Sequence, residues 1–261
     1  MHATKQICVD GVFRRSFQSR IVTWYRGHGR DLPWRHACDP YHVAVSELLL
    51  QQTQVQRVVA VYLEFIRRYP TVEDLDRAPA NEVSGLTDPL GYHIRAKWLK
   101  AMAAVVVGDH GGRMPDSLDA LRRLPGFGPY ASAAVHTFGN RRRAPLVDTN
   151  IARVYTRAVG LPLQGSAYRD GRRLEELAEA LTPPRRFYDY GQGLMDLGAT
   201  VCTSGAPDCD NCPVRRTCRA VRGGAPTATW YLNGVAMPAM RTDGHRVGSK
   251  LANRIEVSYV R

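Results

Sequence analysis

The segment Leu124-Pro125-Gly126-Phe127-Gly128 is a turn with two glycines, set between two stretches that read as helices. Gly126 permits a positive φ, and the missing side chains at Gly126 and Gly128 let backbone N–H groups come close to an anion. Pro129 falls at the first position of the following helix, where its missing N–H costs nothing. A glycine turn feeding a helix N-terminus is an anion site, and a DNA phosphate is one anion that fits it. Asp148, twenty residues after Gly128, opens another helix. The expectation is that the turn grips DNA and that Asp148 does chemistry beside it.

Charge points the same way. The chain has a net charge of +12 and a pI near 9.7, an excess suited to neutralising phosphates. Part of it is plain arginine usage, 32 Arg against 4 Lys. At 261 residues and 44% hydrophobic content, the chain buries the core of one large or two small globular domains. No apolar region follows a basic N-terminus, and the longest apolar run, residues 101–107, is too short for a bilayer. The expected setting is cytoplasmic and nucleoid-associated, with no membrane partner.

Along the chain, residues 1–12 read as a flexible tail. From Phe13, apolar residues recur at Phe17, Ile21, Val22, Trp24 and Tyr25, a helical stripe that RDLPW (30–34) stops. Asp39-Pro40 caps a helix, to about Gln52, that is apolar almost throughout except for Glu47. A carboxylate there is either a buried ion pair or a functional acid. Thr53 with Gln56 has capping-box spacing, and Thr71 and Asn81 read as caps of two short helices. The turn Leu90-Gly91-Tyr92-His93 precedes a helix that Gly111-Gly112 ends, and Ser117–Arg123 is a short helix before the glycine turn. Helices follow at 149–159, about 170–181 and 187–199, the last containing an unexpectedly glycine-rich Gly191-Gln192-Gly193. With no period-2 alternation before the C-terminal segment, the fold class is all-α. Residues 221–261 read either as a small hairpin or as a disordered tail.

Cys202, Cys209, Cys212 and Cys218 are separated by six, two and five residues. Four thiolates so close together in a reducing compartment hold a metal, and spacing alone admits both zinc and a [4Fe-4S] cluster. Arg215, Arg216 and Arg219 decorate this loop and suggest phosphate nearby; Cys8 and Cys38 remain as free thiols.

The segments SELLLQQTQV (46–55), LPGFGPYASAAV (124–135) and VDTN (147–150) and the cysteine loop occur in that order. Together they resemble the helix-hairpin-helix DNA glycosylases of the endonuclease III superfamily. The resemblance spans about residues 15–220 and is nearest to the MutY type, the adenine glycosylases. It implies two helical domains, 38–148 carrying the hairpin and 13–37 plus 149–220 carrying a [4Fe-4S] cluster, with double-stranded DNA bound in the groove between them. It further implies a monomer acting on a mismatched or damaged base pair. RDLPWRHACDPY also resembles the archaeal thymine glycosylases that act on G·T mismatches, so thymine or uracil excision is the alternative. A non-catalytic DNA binder that kept hairpin and cluster is a third reading, against which both carboxylates speak. MutY-type enzymes usually carry a C-terminal Nudix-like domain, and the segment after Cys218 is too short for one.

The chemistry follows from the bond to be broken. Loss of a base passes through an oxocarbenium-like transition state, which the Asp148 carboxylate is suited to stabilise. On the residues alone, Asp148 reads first as a plain N-cap for the helix from Thr149, and the hairpin and the resemblance give it the catalytic role. The MutY likeness implies that Glu47 protonates the adenine ring at N7. Where the bifunctional relatives place a Schiff-base lysine, this chain has Tyr130, and its lysines are Lys5, Lys97, Lys100 and Lys250. A monofunctional glycosylase is expected, with Tyr130 lining the base pocket. The base must leave the stack, so Gln51 and Gln52 are candidates to fill the vacated space and Tyr92 and His93 to form a second wedge. Arg122, Arg123 and Arg141–Arg143 flank the hairpin as candidate backbone contacts.

Overall fold

The computed structural model describes residues 9–161 and 171–222 and the backbone of two short strands. The described residues fall into two compact units, one within the bounds Met1–Arg30 and Pro145–Arg261 and one within Asp31–Ala144. Asp148 belongs to the first and Glu47 to the second.

The second unit is built around α2 (Pro40–Leu50), which buries Tyr41, Val43, Ala44, Val45, Ser46, Leu48 and Leu49. Asp39 caps it by accepting from the backbone N–H groups of Tyr41 and His42, with Pro40 at the first position. A helix buried on this many sides suits the interior of a bundle, and around it lie α3 (Val55–Arg68), α6 (Ile94–His110) and α8 (Pro129–Ala134). Gly111, with φ +59, closes α6 in the left-handed conformation. The short helices α4 (Val72–Arg77) and α5 (Ala80–Thr87) pack on α6, and Lys100 donates to the carbonyls of Leu75, Asp76 and Ala78 at 2.6–2.8 Å. Thr71 caps α4 in a capping box with Asp74. Two other expected caps are not caps. Asn81 lies inside α5, whose N-cap is Pro79, and α3 starts from Gln54 rather than Thr53. The Thr53 hydroxyl is engaged elsewhere.

In the first unit α1 (Gly11–His28) starts two residues earlier than its stripe, because Asp10 accepts from Phe13 N–H at 2.7 Å. It packs on α11 (Phe187–Asp196), and Gly193 there has a physical reason: a Cβ would stand 2.8 Å from Ile21 Cγ2. α9 (Thr149–Val159) is buried on most sides and contacts α10 (Gly171–Leu181) and α11. The helix expected to 199 stops being α-helical at Asp196 and continues as a π-turn over Leu197–Val201. Beyond residue 222, β1 (Trp230–Leu232) and β2 (Val235–Met237) pair antiparallel, with Tyr231 opposite Ala236. Of the expected N-terminal tail, Gly11 and Val12 already belong to α1, while residues 1–8, with Lys5 and Cys8, lie outside the described residues, as does Lys250.

Candidate active site and cysteine loop

The glycine turn joins α7 (Leu118–Arg122), capped by Ser117, to α8. Leu124 and Phe127 are buried, and Phe127 N–H donates to the Leu124 carbonyl at 3.1 Å, so two apolar anchors pin the turn while Pro125 and Gly126 stay half-exposed. Gly126 is required twice over. Its φ is +82, and an added Cβ would lie 2.8 Å from Trp98 Cγ and 2.9 Å from Leu48 Cδ2. Gly128 differs from expectation: its φ of −89 and ψ of −178 are ordinary extended backbone, and the space where a Cβ would go is open. Its contribution is an unobstructed approach to the start of α8. Tyr130, the second residue of α8, is half-buried.

Glu47 is half-buried on α2 between the buried Ser46 and Leu48. At the end of the same helix Gln51 and Gln52 part company. Gln51 Nε2 donates to the Gly126 carbonyl at 3.1 Å, tying α2 to the glycine turn, so Gln51 holds structure rather than probing. Gln52 is exposed with φ +54, an unusual backbone for a residue with a side chain. Tyr92 likewise has φ +45 and packs edge-on against Trp98 at 5.7 Å, while His93 is exposed with Nδ1 3.0 Å from Asp88 Oδ1. Arg95, which the sequence reading did not single out, is fully buried and donates from Nη2 to the Gln51 carbonyl and Thr53 Oγ1, both at 2.8 Å. It shares the first turns of α6 with Lys97 and Lys100, and nothing in that local pattern sets it apart.

In the first unit Asp148 is the N-cap of α9, its Oδ1 accepting from Ile151 N–H at 2.7 Å. Its Oδ2 accepts from Asn150 Nδ2 at 3.2 Å. Arg153 completes the arrangement: Nη2 donates to Asn150 Oδ1 at 2.7 Å and to the Gly198 carbonyl at 2.8 Å, and Nε to the Cys202 carbonyl at 2.7 Å. A chain of hydrogen bonds therefore runs from the carboxylate to the start of the cysteine loop. Gly198 makes room for it, since a Cβ there would fall 2.7 Å from Asn150 Cβ. Burial raises the Asp148 pKa above the ordinary carboxylate range, against the pull of the Ile151 N–H, Arg153 and Asn150. Asn150, Arg153 and Gly198 escaped the sequence reading, although Arg153 lies among the buried positions of α9.

The four cysteines line one cavity, together with Val154, Arg157, Ala158 and Leu197. The loop docks on the end of α9 through Arg219 N–H to Ala158 O and Ala220 N–H to Arg157 O. Arg157 Nη1 lies 3.4 Å from Cys202 Sγ and donates to the Thr203 carbonyl at 2.8 Å. Burial, reinforced by the neighbouring thiols, pushes up the pKa values of Cys209 and Cys218, and burial pushes Cys212 up to about 12. Among the described residues no group of three or more His, Cys, Asp or Glu is arranged to hold a metal ion. Of the loop arginines, Arg219 donates to the Val159 carbonyl and Arg215 pairs with Asp210, leaving Arg216 exposed. Cys38 is exposed with Arg141 against its thiol.

Comparison with known proteins gives a family. Residues 45–184 match the family model described as HhH-GPD superfamily base excision DNA repair protein. The chain is 38% identical over 208 residues to a thymine/uracil-DNA glycosylase of Pyrobaculum aerophilum, covering 78% of this chain and 90% of that relative. It is equally 38% identical, over 214 residues, to the adenine DNA glycosylase of Homo sapiens, covering 78% of this chain but 39% of the human protein. Among solved structures, a thermostable thymine-DNA glycosylase superposes with a TM-score of 0.71 at 35% identity, covering 79% of this chain and 95% of that one.

Proposed function

This chain belongs to the HhH-GPD superfamily of base excision DNA repair proteins and is a DNA N-glycosylase, and from that premise we propose that it removes adenine mispaired with 8-oxoguanine or guanine. The carrying observation is Glu47, a single half-exposed acid on a helix that is otherwise largely buried and apolar. A purine leaves readily once a ring nitrogen is protonated, and an acid presented from an apolar wall is suited to deliver that proton. Asp148 takes the complementary role. Its desolvated carboxylate is better stabilised by a cation than by its present surroundings, so it favours the oxocarbenium-like transition state at the sugar. Asn150 and Ile151 N–H fix the orientation of its two oxygens. The turn at 124–128 holds the DNA backbone, and Gln52, Tyr92 and His93 occupy the space the flipped nucleotide vacates.

Chemistry stops at the abasic site in this reading. Tyr130 cannot form a Schiff base, and Lys100 is occupied by three carbonyls. The protein works as a monomer on chromosomal DNA in the cytoplasm. Cys202, Cys209, Cys212 and Cys218 hold a [4Fe-4S] cluster: the four thiols line one cavity, and such a centre takes one thiolate per iron. When bound, the cluster fixes the loop whose first carbonyl Arg153 holds.

One observation favours the second reading, thymine or uracil excision opposite guanine. The thymine/uracil relative is matched over 90% of its length, the human adenine enzyme over 39%. Labelled duplexes carrying A·8-oxoguanine, A·G, G·T and G·U, treated with alkali after incubation, decide between them. Cleavage confined to the A-containing strands is expected; cleavage confined to G·T and G·U reverses the assignment. Scission before alkali would contradict the monofunctional reading, and a colourless, iron-free purified protein would contradict the cluster.

A further inference from the structure

The two candidate probing segments are not independent loops. Gln52 at one tip and Tyr92 at the other both have left-handed backbone, φ +54 and +45, a conformation that costs energy for residues with side chains and persists only where the surroundings enforce it. The enforcing contacts converge on α6. Arg95 Nη2 donates to the Gln51 carbonyl and to Thr53 Oγ1, the residues on either side of Gln52. The same guanidinium lies 5.9 Å from the centre of the Tyr92 ring, and Arg95 N–H donates to the Tyr92 carbonyl at 3.2 Å. Direct ties add to this: Thr53 Oγ1 donates to the Leu90 carbonyl and Arg57 Nη2 to the Pro89 carbonyl. Arg95 is also conspicuously underused. Its Nε and Nη1 are buried and meet no acceptor among the described residues. A buried cation with two unanswered donors is costly, and a core position would be better filled by Leu or Met.

We propose that Arg95 is a positioning residue that clasps the 51–53 and 90–92 loops into one DNA-probing head. The clasp rests on the reading that Gln52 and Tyr92 enter the DNA stack. It makes their two tips advance and withdraw together, so that neither is available to a matched pair without the other.

A double-mutant cycle of Gln52→Ala and Tyr92→Ala tests it, read as single-turnover excision on whichever mismatched duplex is cleaved. With Arg95 present, each single change should slow excision about tenfold and the pair together no more than about thirtyfold, well short of the product expected of independent sites. In the Arg95→Met protein the two changes should become independent. Thr53→Val, which removes an acceptor and leaves the arginine, should weaken the coupling in the same direction and carries the test if Arg95→Met does not fold. Multiplying effects in the presence of Arg95, or coupling that survives Arg95→Met and Thr53→Val, would overturn the clasp while leaving the loops as probes. Single variants that excise at the parental rate would remove the loops from DNA work, and the clasp with them.

Discussion

Arg153 and Arg95 are both buried arginines on helices, and the structure uses them in opposite ways. Arg153 spends Nε and Nη2 on three acceptors and, through Asn150, steadies Asp148. Arg95 spends one nitrogen on two acceptors, leaves two nitrogens unanswered, and holds loops whose tips are strained. The first arrangement is a fixed mount for a group that must sit still while charge develops at the sugar. The second sits in tension and is suited to a part that rearranges when DNA arrives.

The largest effect should come from Asp148→Asn. Excision should fall by about a hundredfold to a thousandfold or more, the scale of losing a preorganised electrostatic partner. Stability should not fall with it, since Asn caps a helix as well as Asp. The pH dependence has a definite sign. Because the folded-state pKa is raised, the contribution of Asp148 to stability is complete below the unfolded pKa of about 3.9 and is lost as pH rises through the folded value. Melting curves should therefore coincide for the two proteins in acid and separate towards neutrality, with the Asn protein the more stable. A variant that melts lower at pH 7 would show that the carboxylate is held for stability, and the fixed-mount view of Arg153 would lose its object.

Breaking the mount should cost less than removing what it carries. Arg153→Met strands the Asn150 side-chain oxygen and the carbonyls of Gly198 and Cys202, each buried acceptor costing about 1–3 kcal/mol where water does not reach it. Excision is expected to fall about tenfold to a hundredfold, with kcat carrying the loss and DNA affinity retained. Gly198→Ala should give a milder version, because its Cβ has to displace Asn150 by steric contact rather than by loss of a partner. If KM rises while kcat holds, Arg153 serves DNA binding and the contrast with Arg95 fails.

What was legible in the chain divides along the same line. α2, α6 and α9 were visible because local chemistry defines them: Asp39 and Asp148 cap, Gly111 terminates, and apolar residues repeat between them. Gly126 was visible because a turn of that length needs a residue free to take positive φ. Thr53 was misread as a cap because capping-box spacing is local, whereas its partner Arg95 is 42 residues away. Asn81 was misread because Pro79, with its fixed φ, starts α5 two residues earlier. Gly193 looked out of place in a helix, but Ile21 occupies the room a Cβ there would need. The roles of Arg95 and Arg153 come entirely from partners distant in sequence, and no spacing rule reaches them.

The smallest effect separates holding from probing at adjacent positions. Gln51 donates one hydrogen bond to the Gly126 carbonyl, and Gln52 is exposed at the loop tip. Gln51→Ala should lower stability by about 1 kcal/mol, the scale of a single net hydrogen bond, and shift the melting point by about 2–4 °C. Excision should stay within about threefold of the parent, because the turn at 124–128 keeps its apolar anchors Leu124 and Phe127 and loses only a tether. Gln52→Ala should do the reverse. Removing a side chain from a left-handed, exposed position loses no buried contact, so melting should be unmoved while excision slows. The comparison breaks if Gln51→Ala slows excision more than Gln52→Ala. The glycine turn, through its tie to Gln51, would then be the part that senses the mismatch, and the strained tips would be scaffold.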